Sequence, residues 1–226
     1  MAEKEAILKS IREIDTELKK LFPIPHRPSR TPLEQMIFTI LSQNTTDKNA
    51  EKCLENLKKI TDNDLRKLLS IPKETLILAV RSCGMYRQKT QAILNVLKDW
   101  DSLERKLHKL SPKEGIELLK SYPYIGSKTA RVVLTFAFNK NTFPIDTHCW
   151  RVLNRLGIFP KSWNKDKISE FMEENFSSEF NQRFHYNLIR FGRTVCKAIK
   201  PKCSECPLIK KCSFNKEWEA NASQKS

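Results

Sequence analysis

The sequence predicts an all-α protein built from many short helices, and three observations support this fold class. Apolar residues recur at three- and four-residue spacing along most of the chain, and the alternation typical of strands is nearly absent. A helix-start pattern with a hydroxyl residue, a proline and a glutamate occurs at Thr31–Glu34 and again at Ser111–Glu114. With 226 residues the chain fits one large domain or two small ones.

The helices follow one another in chain order. The first is amphipathic, with apolar residues at 7, 11, 14, 18 and 21, and it ends at a break with three prolines, FPIPHRPSR. The helix that starts after Thr31 is apolar on nearly every side, so we expect it at the centre of a core. Further helices are predicted at 46–59, 62–70, 73–82, 87–99, 101–109, 112–121, 127–138, 146–156, 165–175 and 180–194. The polar residues 213–226 are expected to form a flexible tail.

Composition narrows the classes of function. The chain carries 41 basic and 26 acidic residues, a formal net charge of +15. Such an excess favours a polyanionic partner, most often nucleic acid, although a purely solubilising surface is the alternative. No apolar run has the roughly 20 residues that span a bilayer, and the N-terminus lacks an apolar signal core. We therefore expect an intracellular monomer in the cytoplasm or nucleoid of a prokaryote, with no membrane partner.

Seven cysteines divide into two groups. Cys53, Cys83 and Cys149 stand among apolar neighbours and are interpreted as small core residues. The other four lie close together with the spacing C-x6-C-x2-C-x5-C, and they are Cys196, Cys203, Cys206 and Cys212. This single short loop favours an iron–sulfur cluster, while zinc and a loop without metal remain alternatives. Lysines within it, Lys197, Lys200 and Lys202, are candidates for phosphate contacts or for offsetting the charge of a cluster.

The segment YPYIGSKTA predicts a tight turn between two helices. The backbone N–H groups at the start of the second helix, around Gly126 and Ser127, form a potential phosphate site, although any two packed helices also need a turn. Lys128 lies in the first turn of that helix, where the helix dipole disfavours its charge. An amine that attacks carbon must be neutral, and dipole, neighbouring cations and burial all favour the neutral form. The alternative is an exposed lysine that contacts a phosphate.

Asp146 stands directly before the helix THCWRVLNRL. As the N-cap it would accept backbone N–H bonds, which keep the carboxylate ionised. Capping alone is the simpler interpretation. An ionised carboxylate held at a helix start is also able to stabilise a developing positive charge or to move protons.

Taken together, YPYIGSKTA, IDTHCWRVLNRLG and FGRTVCKAIKPKCSECPLIKKC resemble the endonuclease III branch of the helix-hairpin-helix DNA glycosylases. ILSQNTTD and CGMYRQKTQAI match two further segments of that family, so the resemblance covers about residues 30–212. It implies two helical domains on either side of a DNA-binding cleft. One is a six-helix barrel at 27–136 with the hairpin, and the other combines 1–26 with 137–226 and carries a [4Fe–4S] cluster in the loop 196–212.

The resemblance also implies an activity. Lys128 is the nucleophile that attacks the deoxyribose C1′ of a flipped nucleotide, and Asp146 is the essential carboxylate. The expected reaction is removal of oxidised pyrimidines from double-stranded DNA, followed by β-elimination at the abasic site. Excision of mismatched uracil or thymine in the same fold, and a non-catalytic DNA-binding protein with iron–sulfur or zinc, remain open alternatives.

A flipped nucleotide leaves a gap in the duplex that protein side chains fill. By resemblance Asn44, with Gln43 beside it, corresponds to the family's inserted glutamine, and Met85 corresponds to a leucine wedge. His148 is expected among the DNA contacts. The family usually has glycine where this chain has Tyr124, and a left-handed backbone there costs tyrosine about 1–2 kcal/mol.

Overall fold

The computed structural model describes residues 2–23 and 29–215, and every regular element within these ranges is helical. The all-α prediction is therefore confirmed. The helices are α1 (Ala2–Leu21), α2 (Pro32–Leu41), α3 (Asp47–Ile60), α4 (Lys73–Val80), α5 (Tyr86–Lys98), α6 (Trp100–Lys109), α7 (Pro112–Lys120), α8 (Ser127–Phe138), α9 (Thr147–Leu156), α10 (Lys165–Asn175) and α11 (Ser178–Thr194). Short 3-10 helices lie at Leu65–Ser70, Arg81–Cys83, Cys203–Glu205 and Ile209–Lys211.

The chain divides into two compact units. We call Pro28–Asn141 the hairpin unit, and Met1–Arg27 together with Thr142–Ser226 the cysteine unit. The boundary lies after Asn141 and not at 136, because α8 continues to Phe138 and the Lys140 N–H bonds back to the Leu134 carbonyl at 2.9 Å.

Side-chain caps fix where several helices begin. Thr31 and Glu34 form a capping box at α2, and Ser111 and Glu114 form another at α7, each with a proline in the first turn. Each cap satisfies backbone N–H groups that have no partner inside the helix, which stabilises a helix start by about 1 kcal/mol. The two predicted start patterns are confirmed.

The core of the hairpin unit is built around α2. Its apolar residues Leu33, Met36, Ile37, Ile40 and Leu41 are all buried. The helix packs against α8, α3 and α5, which together cover the apolar surface on nearly every side of α2. This confirms the predicted central position of α2 within its own unit.

The core of the cysteine unit forms where α11 packs against α9 and α1. The buried face of α1 carries Ile7, Ile11, Ile14 and Leu18, as the periodicity predicts, but Leu21 is 42% exposed. The same face buries one carboxylate, Asp15, which is paired with the Arg183 guanidinium on α11 at 2.9 Å. A buried charge needs such a partner.

Three local features differ from the sequence predictions. The helix predicted at 62–70 begins only at Leu65, because Asp62 and Asn63 both adopt left-handed backbone conformations, and it is a 3-10 helix. The helix predicted at 73–82 ends at Val80 and continues as the 3-10 turn Arg81–Cys83. Cys53 and Cys83 are buried as expected, but they also form a disulfide with 6.6 Å between their Cα atoms.

The end of the chain is described only in part. Residues 213–215 form a short helical turn, whereas the rest of the predicted tail, 216–226, lies outside the described residues. Among the described helices, none combines the length and the apolar character needed to cross a membrane.

Candidate functional site

The predicted hairpin connects α7 to α8 in the hairpin unit. Tyr124 has a φ of 67°, so the turn does adopt the left-handed conformation that the family resemblance suggested for this position. Its side chain is half exposed, while the next residue, Ile125, is buried and anchors the turn in the core. The hairpin therefore keeps its backbone shape at the conformational cost of a tyrosine in that region.

Gly126 is the N-cap of α8 and leaves the start of this helix open. Its φ is −92°, and a Cβ built at this position would have no heavy atom within 4 Å. The fold itself therefore does not require glycine here, and the missing side chain leaves room for a ligand to approach the backbone N–H groups of α8.

Lys128 is the second residue of α8, and its side chain is exposed. Burial, one of the three expected influences on this amine, therefore does not act here, whereas the position of Lys128 in the first turn places it at the positive end of the α8 dipole. A second cation lies close by, because the buried Arg131 guanidinium is hydrogen-bonded to the hydroxyl of Ser127. A neighbouring positive charge favours the neutral form of an amine.

The predicted wedge residues meet at one place in the hairpin unit. Asn44 follows α2 and Met85 precedes α5, both are exposed, and both have left-handed backbones with φ of 52° and 47°. The Asn44 Nδ2 atom lies 3.2 Å from the Met85 sulfur. Gln43 does not point outward with them, because its amide nitrogen donates to the Tyr124 carbonyl at 3.0 Å and to the Thr129 hydroxyl at 3.1 Å.

In the cysteine unit Asp146 is the N-cap of α9, as the sequence predicts. Its Oδ1 atom accepts the Cys149 N–H at 2.7 Å. Partial burial opposes ionisation of this carboxyl, but the Cys149 N–H and the positive charge of His185 outweigh that effect and hold its pKa below the usual value. The carboxylate is therefore ionised at neutral pH.

His148 lies two positions after Asp146 and contacts a guanidinium. Its Nδ1 atom is 3.1 Å from the Arg151 Nη2 atom, which also donates to the Gly192 carbonyl at 2.7 Å. Burial lowers the pKa of His148, and the charges of Arg151 and Arg193 lower it further against the opposing effect of Asp146. The imidazole is therefore neutral at neutral pH, with Nδ1 as an acceptor.

The four-cysteine loop lies against the core of the cysteine unit. Three of its cysteines, Cys196, Cys206 and Cys212, pack against that core, and all four are partly exposed. Burial raises the pKa of the Cys206 and Cys212 thiols, and the charges of the other cysteines raise it further, so the four sulfurs are close enough to repel one another as thiolates.

Arg155 on α9 fixes the start of this loop. Its guanidinium lies 3.5 Å from the Cys196 sulfur and donates to the carbonyls of Lys197 at 2.7 Å and Ala198 at 3.1 Å. Among the described residues, no group of three or more histidine, cysteine or acidic side chains is gathered closely enough to hold a single metal ion. Four cysteine thiols with a cation beside them are ligands of the kind that suit an anionic iron–sulfur cluster.

The predicted phosphate-contacting lysines of the loop are all exposed. Lys200 has a left-handed backbone with a φ of 51°, which turns the chain beside the exposed Ile199. Lys202 is paired with Glu205 at 3.0 Å, so part of its charge is already compensated. Exposed pairs of this kind contribute little to stability and are readily exchanged for another anion.

The fold and these groups define a class of protein. An all-α chain with an open helix-hairpin-helix, a lysine at the start of the second helix, a capping aspartate and a four-cysteine loop is typical of DNA repair enzymes with a helix-hairpin-helix. A family model described as "HhH-GPD superfamily base excision DNA repair protein" matches residues 37–178.

Individual relatives agree with this match. Endonuclease III of Thermotoga maritima is 33% identical over 204 residues, which cover 90% of this chain and 92% of that protein. Endonuclease III of Sulfolobus acidocaldarius is 35% identical over 190 residues, 82% of this chain and 83% of the relative. A structure of a trapped endonuclease III–DNA covalent intermediate is 31% identical with a TM-score of 0.78, and the match covers 93% of this chain and 98% of that one. The chain belongs to the HhH-GPD superfamily of base excision DNA repair proteins, within its endonuclease III family, and it is a DNA glycosylase and lyase.

Sequence reasoning missed three residues near these groups. Arg155 lies four positions after Arg151, so the two arginines share a face of α9, and that spacing is a usable signal. Lys89 falls on the apolar face of α5, one helical turn before Ala92, and a lysine at a core position is a second signal. His185, which acts on Asp146 through its charge, comes from α11 and has no local signal at all.

Proposed function

We propose that this glycosylase and lyase removes oxidised pyrimidines from double-stranded DNA through a Schiff base on Lys128. One observation carries the proposal: Lys128 is exposed in the first turn of α8, two positions after a glycine that leaves open space above the helix N-terminus. A phosphate bound to the N–H groups of that turn brings a nucleotide next to the amine.

Lys128 supplies the nucleophile. The lone pair of its neutral Nζ atom forms a bond to C1′ of the extruded nucleotide, and the glycosidic bond breaks with its electron pair leaving on the base. Nζ then loses a proton, and opening of the sugar ring gives an iminium ion. Loss of a proton from C2′ breaks the C3′–O bond and expels the 3′-phosphate. Water finally hydrolyses the imine, which frees the lysine and leaves an unsaturated aldehyde on the sugar. The Arg131 guanidinium one turn away favours the neutral amine with which this sequence begins.

Asp146 supplies a fixed negative charge in this scheme. Its carboxylate is held by the Cys149 N–H and is ionised at neutral pH, so it stabilises the positive charge that develops on the sugar as the base leaves. It is also a candidate to move protons between the amine and the sugar. The comparison structure of a covalent endonuclease III–DNA intermediate supports chemistry of this kind.

The remaining predicted residues hold the DNA. Gly126 and Ser127 provide the phosphate site, Asn44 and Met85 fill the gap left by the extruded nucleotide, and Gln43 holds the hairpin turn at Tyr124. Further phosphate contacts come from the neighbourhood of the four-cysteine loop, and they are His148, Lys197, Lys200 and Lys202. Because several phosphates are neutralised, affinity falls steeply with salt.

The four cysteines, Cys196, Cys203, Cys206 and Cys212, are proposed to hold a [4Fe–4S] cluster. When bound, the cluster cross-links the loop and thereby makes its lysine-bearing surface rigid. An iron–sulfur protein is brown with broad visible absorption, whereas the zinc alternative is colourless. We place the enzyme inside the cell, because that is where its substrate lies, and we propose that it acts as a monomer.

Borohydride trapping tests the role of Lys128. The enzyme is incubated with duplex DNA containing one abasic site, and borohydride reduces the Schiff base to a stable adduct. Lys128→Ala should abolish the adduct. The matched control is Lys113→Ala, because Lys113 is also exposed and also the second residue of a helix in the same unit, and it should leave the adduct unchanged. An undiminished adduct in Lys128→Ala would refute the assignment.

A cleavage screen tests the lesion class. Duplexes that each carry one oxidised pyrimidine, one mismatched uracil or thymine, or one alkylated purine are compared under single-turnover conditions. The proposal expects the oxidised pyrimidines to be cleaved fastest. Faster release of mismatched thymine or uracil would move the enzyme to a different substrate within the same family.

A further inference from the structure

Lys89 is a buried lysine that the chemistry above does not use. It lies near the start of α5, it is 1% exposed, and it shares an apolar helix face with Ala92, Ile93 and Val96. Burial lowers the pKa of this amine to about 8. A lysine in such a position is unfavourable unless its donors find acceptors.

The acceptors of Lys89 come from two separate segments of the hairpin unit. Its Nζ atom donates to the Leu41 carbonyl at 2.8 Å and to the Cys83 carbonyl at 2.7 Å. Leu41 is the last residue of α2, so its carbonyl has no partner within that helix, and a cation there also complements the helix dipole. Cys83 is the last residue of the 3-10 turn that precedes α5.

These two segments lead directly into the two wedge residues. Asn44 comes three positions after Leu41, and Met85 comes two positions after Cys83. Both wedge residues have left-handed backbones, and their side chains touch each other. One ammonium group therefore joins the bases of both loops at the point where each chain leaves the core.

We propose that Lys89 is a positioning residue for nucleotide extrusion, because its bonds to the Leu41 and Cys83 carbonyls set the distance between the loops that carry Asn44 and Met85. The inference rests on the proposed function, in which those two side chains enter the duplex. Lys89 touches neither DNA nor the reacting atoms in this scheme.

The physical reason is the burial of both acceptors. Leu41 and Cys83 are 0% and 1% exposed, so water does not reach carbonyls that have lost the ammonium group. The segments that carry them then move to find other donors, and the wedge residues move with them. Cys83 is also held by its disulfide to Cys53 on α3, so we expect the end of α2 to shift more than the Cys83 segment when the ammonium group is lost.

Lys89→Met tests the role, because methionine fills a similar volume and donates no hydrogen bond. Lys98→Met is the matched control, since Lys98 is an exposed lysine on the same helix and its loss changes the net charge by the same amount. Extrusion is measured by the fluorescence of 2-aminopurine placed beside a thymine glycol in duplex DNA. All variants are made in Lys128→Ala, so that no chemistry follows.

We expect Lys89→Met to lower the extruded fraction about tenfold, the scale of losing part of two charge-assisted hydrogen bonds. Lys98→Met should change it less than about twofold, because exposed charges contribute little locally. Lys89→Gln, which keeps a donor on a shorter side chain, should give an intermediate loss. Circular dichroism of each variant establishes that the comparison is made on folded protein.

A double-mutant cycle separates positioning from a general loss of structure. In an Asn44→Ala, Met85→Ala background no wedge remains, so Lys89→Met should have no further effect on extrusion. With Lys128 restored, Lys89→Met should slow release of an intact damaged base more than cleavage at an abasic site, which unstacks at lower cost.

Each result decides one point. Equal slowing on both substrates, additive effects in the cycle, or unchanged extrusion in Lys89→Met would each overturn the role of Lys89. A failure of the proposed function would give a different result. Protein with native Lys89 and native Lys128 would then extrude the nucleotide but form no borohydride adduct.

Discussion

Asp146 is expected to combine two separable roles, a helix cap and a catalytic charge. Its Oδ1 atom accepts the Cys149 N–H at 2.7 Å, and its charge faces the positive end of α9. Asp146→Ala removes the cap, worth about 1 kcal/mol, and the dipole interaction, worth about 0.5 kcal/mol. Asp146→Asn keeps an oxygen acceptor, so the free energy of unfolding should fall by only about 0.5 kcal/mol.

The two substitutions should differ in their effect on stability but not in their effect on the rate of base release. Both substitutions remove the carboxylate, so both should lower the single-turnover rate of base release by about 10²–10⁴-fold. DNA affinity should stay close to that of the unmodified protein, because a carboxylate is not a phosphate ligand. The assays are urea unfolding, single-turnover cleavage of a thymine glycol duplex, and binding measured by fluorescence anisotropy.

Asn164→Ala is the matched control for capping. Asn164 caps α10 in the same unit by accepting the Lys167 N–H at 2.9 Å, and its loss should cost about 1 kcal/mol without a change in rate. Retained activity in Asp146→Asn would refute the catalytic role. Equal destabilisation by the asparagine and alanine substitutions would refute the capping argument.

Three further outcomes are expected. The pKa of Lys89 is about 8 in the folded chain and 10.5 in the unfolded chain, so between these pH values the unfolded state binds more protons. The free energy of unfolding should therefore rise by up to about 3 kcal/mol from pH 8 to 10.5. Urea unfolding at each pH should show no such rise in Lys89→Met and the full rise in Lys98→Met. Tyr124→Gly should raise the free energy of unfolding, measured in urea, by about 1 kcal/mol, because glycine adopts the left-handed backbone without strain. Asn139→Gly should raise it less, because asparagine tolerates this conformation better than tyrosine. A loss of stability in Tyr124→Gly would show that the tyrosine is not strained. Arg155→Met should speed the loss of visible absorption on exposure to a chelator, because the start of the four-cysteine loop loses its hydrogen bonds to the guanidinium. An unchanged rate would count against a role of Arg155 in holding this loop.

Much of the local structure follows from neighbours in sequence. Helix starts at Thr31 and Ser111 were predictable because a capping box needs only residues three positions apart. The Asp146 cap was predictable for the same reason. The position of Lys128 in the first turn of α8 was predictable because the hairpin turn ends at Gly126 and the helix begins directly after it. The four cysteines could be assigned to one loop because only seventeen positions contain them all.

Where prediction failed, the cause was contact between distant segments. The disulfide joins residues 30 positions apart, and sequence spacing carries no information on which core cysteines meet. The hydrogen bonds of Gln43 were equally unpredictable, because its amide finds acceptors in the hairpin more than 80 positions further on. Lys128 was expected to be influenced by burial, and exposure depends on packing around the whole helix.

By itself the sequence determined the helical class, the positive charge, the cysteine loop and the positions of Lys128 and Asp146, since each depends on composition or on residues within about one or two helical turns. Only the tertiary structure decided that Lys89 lies in the core between the ends of two loops. Two carbonyls separated by 42 positions become acceptors for one amine because the core excludes water from both, and a one-dimensional pattern does not record that.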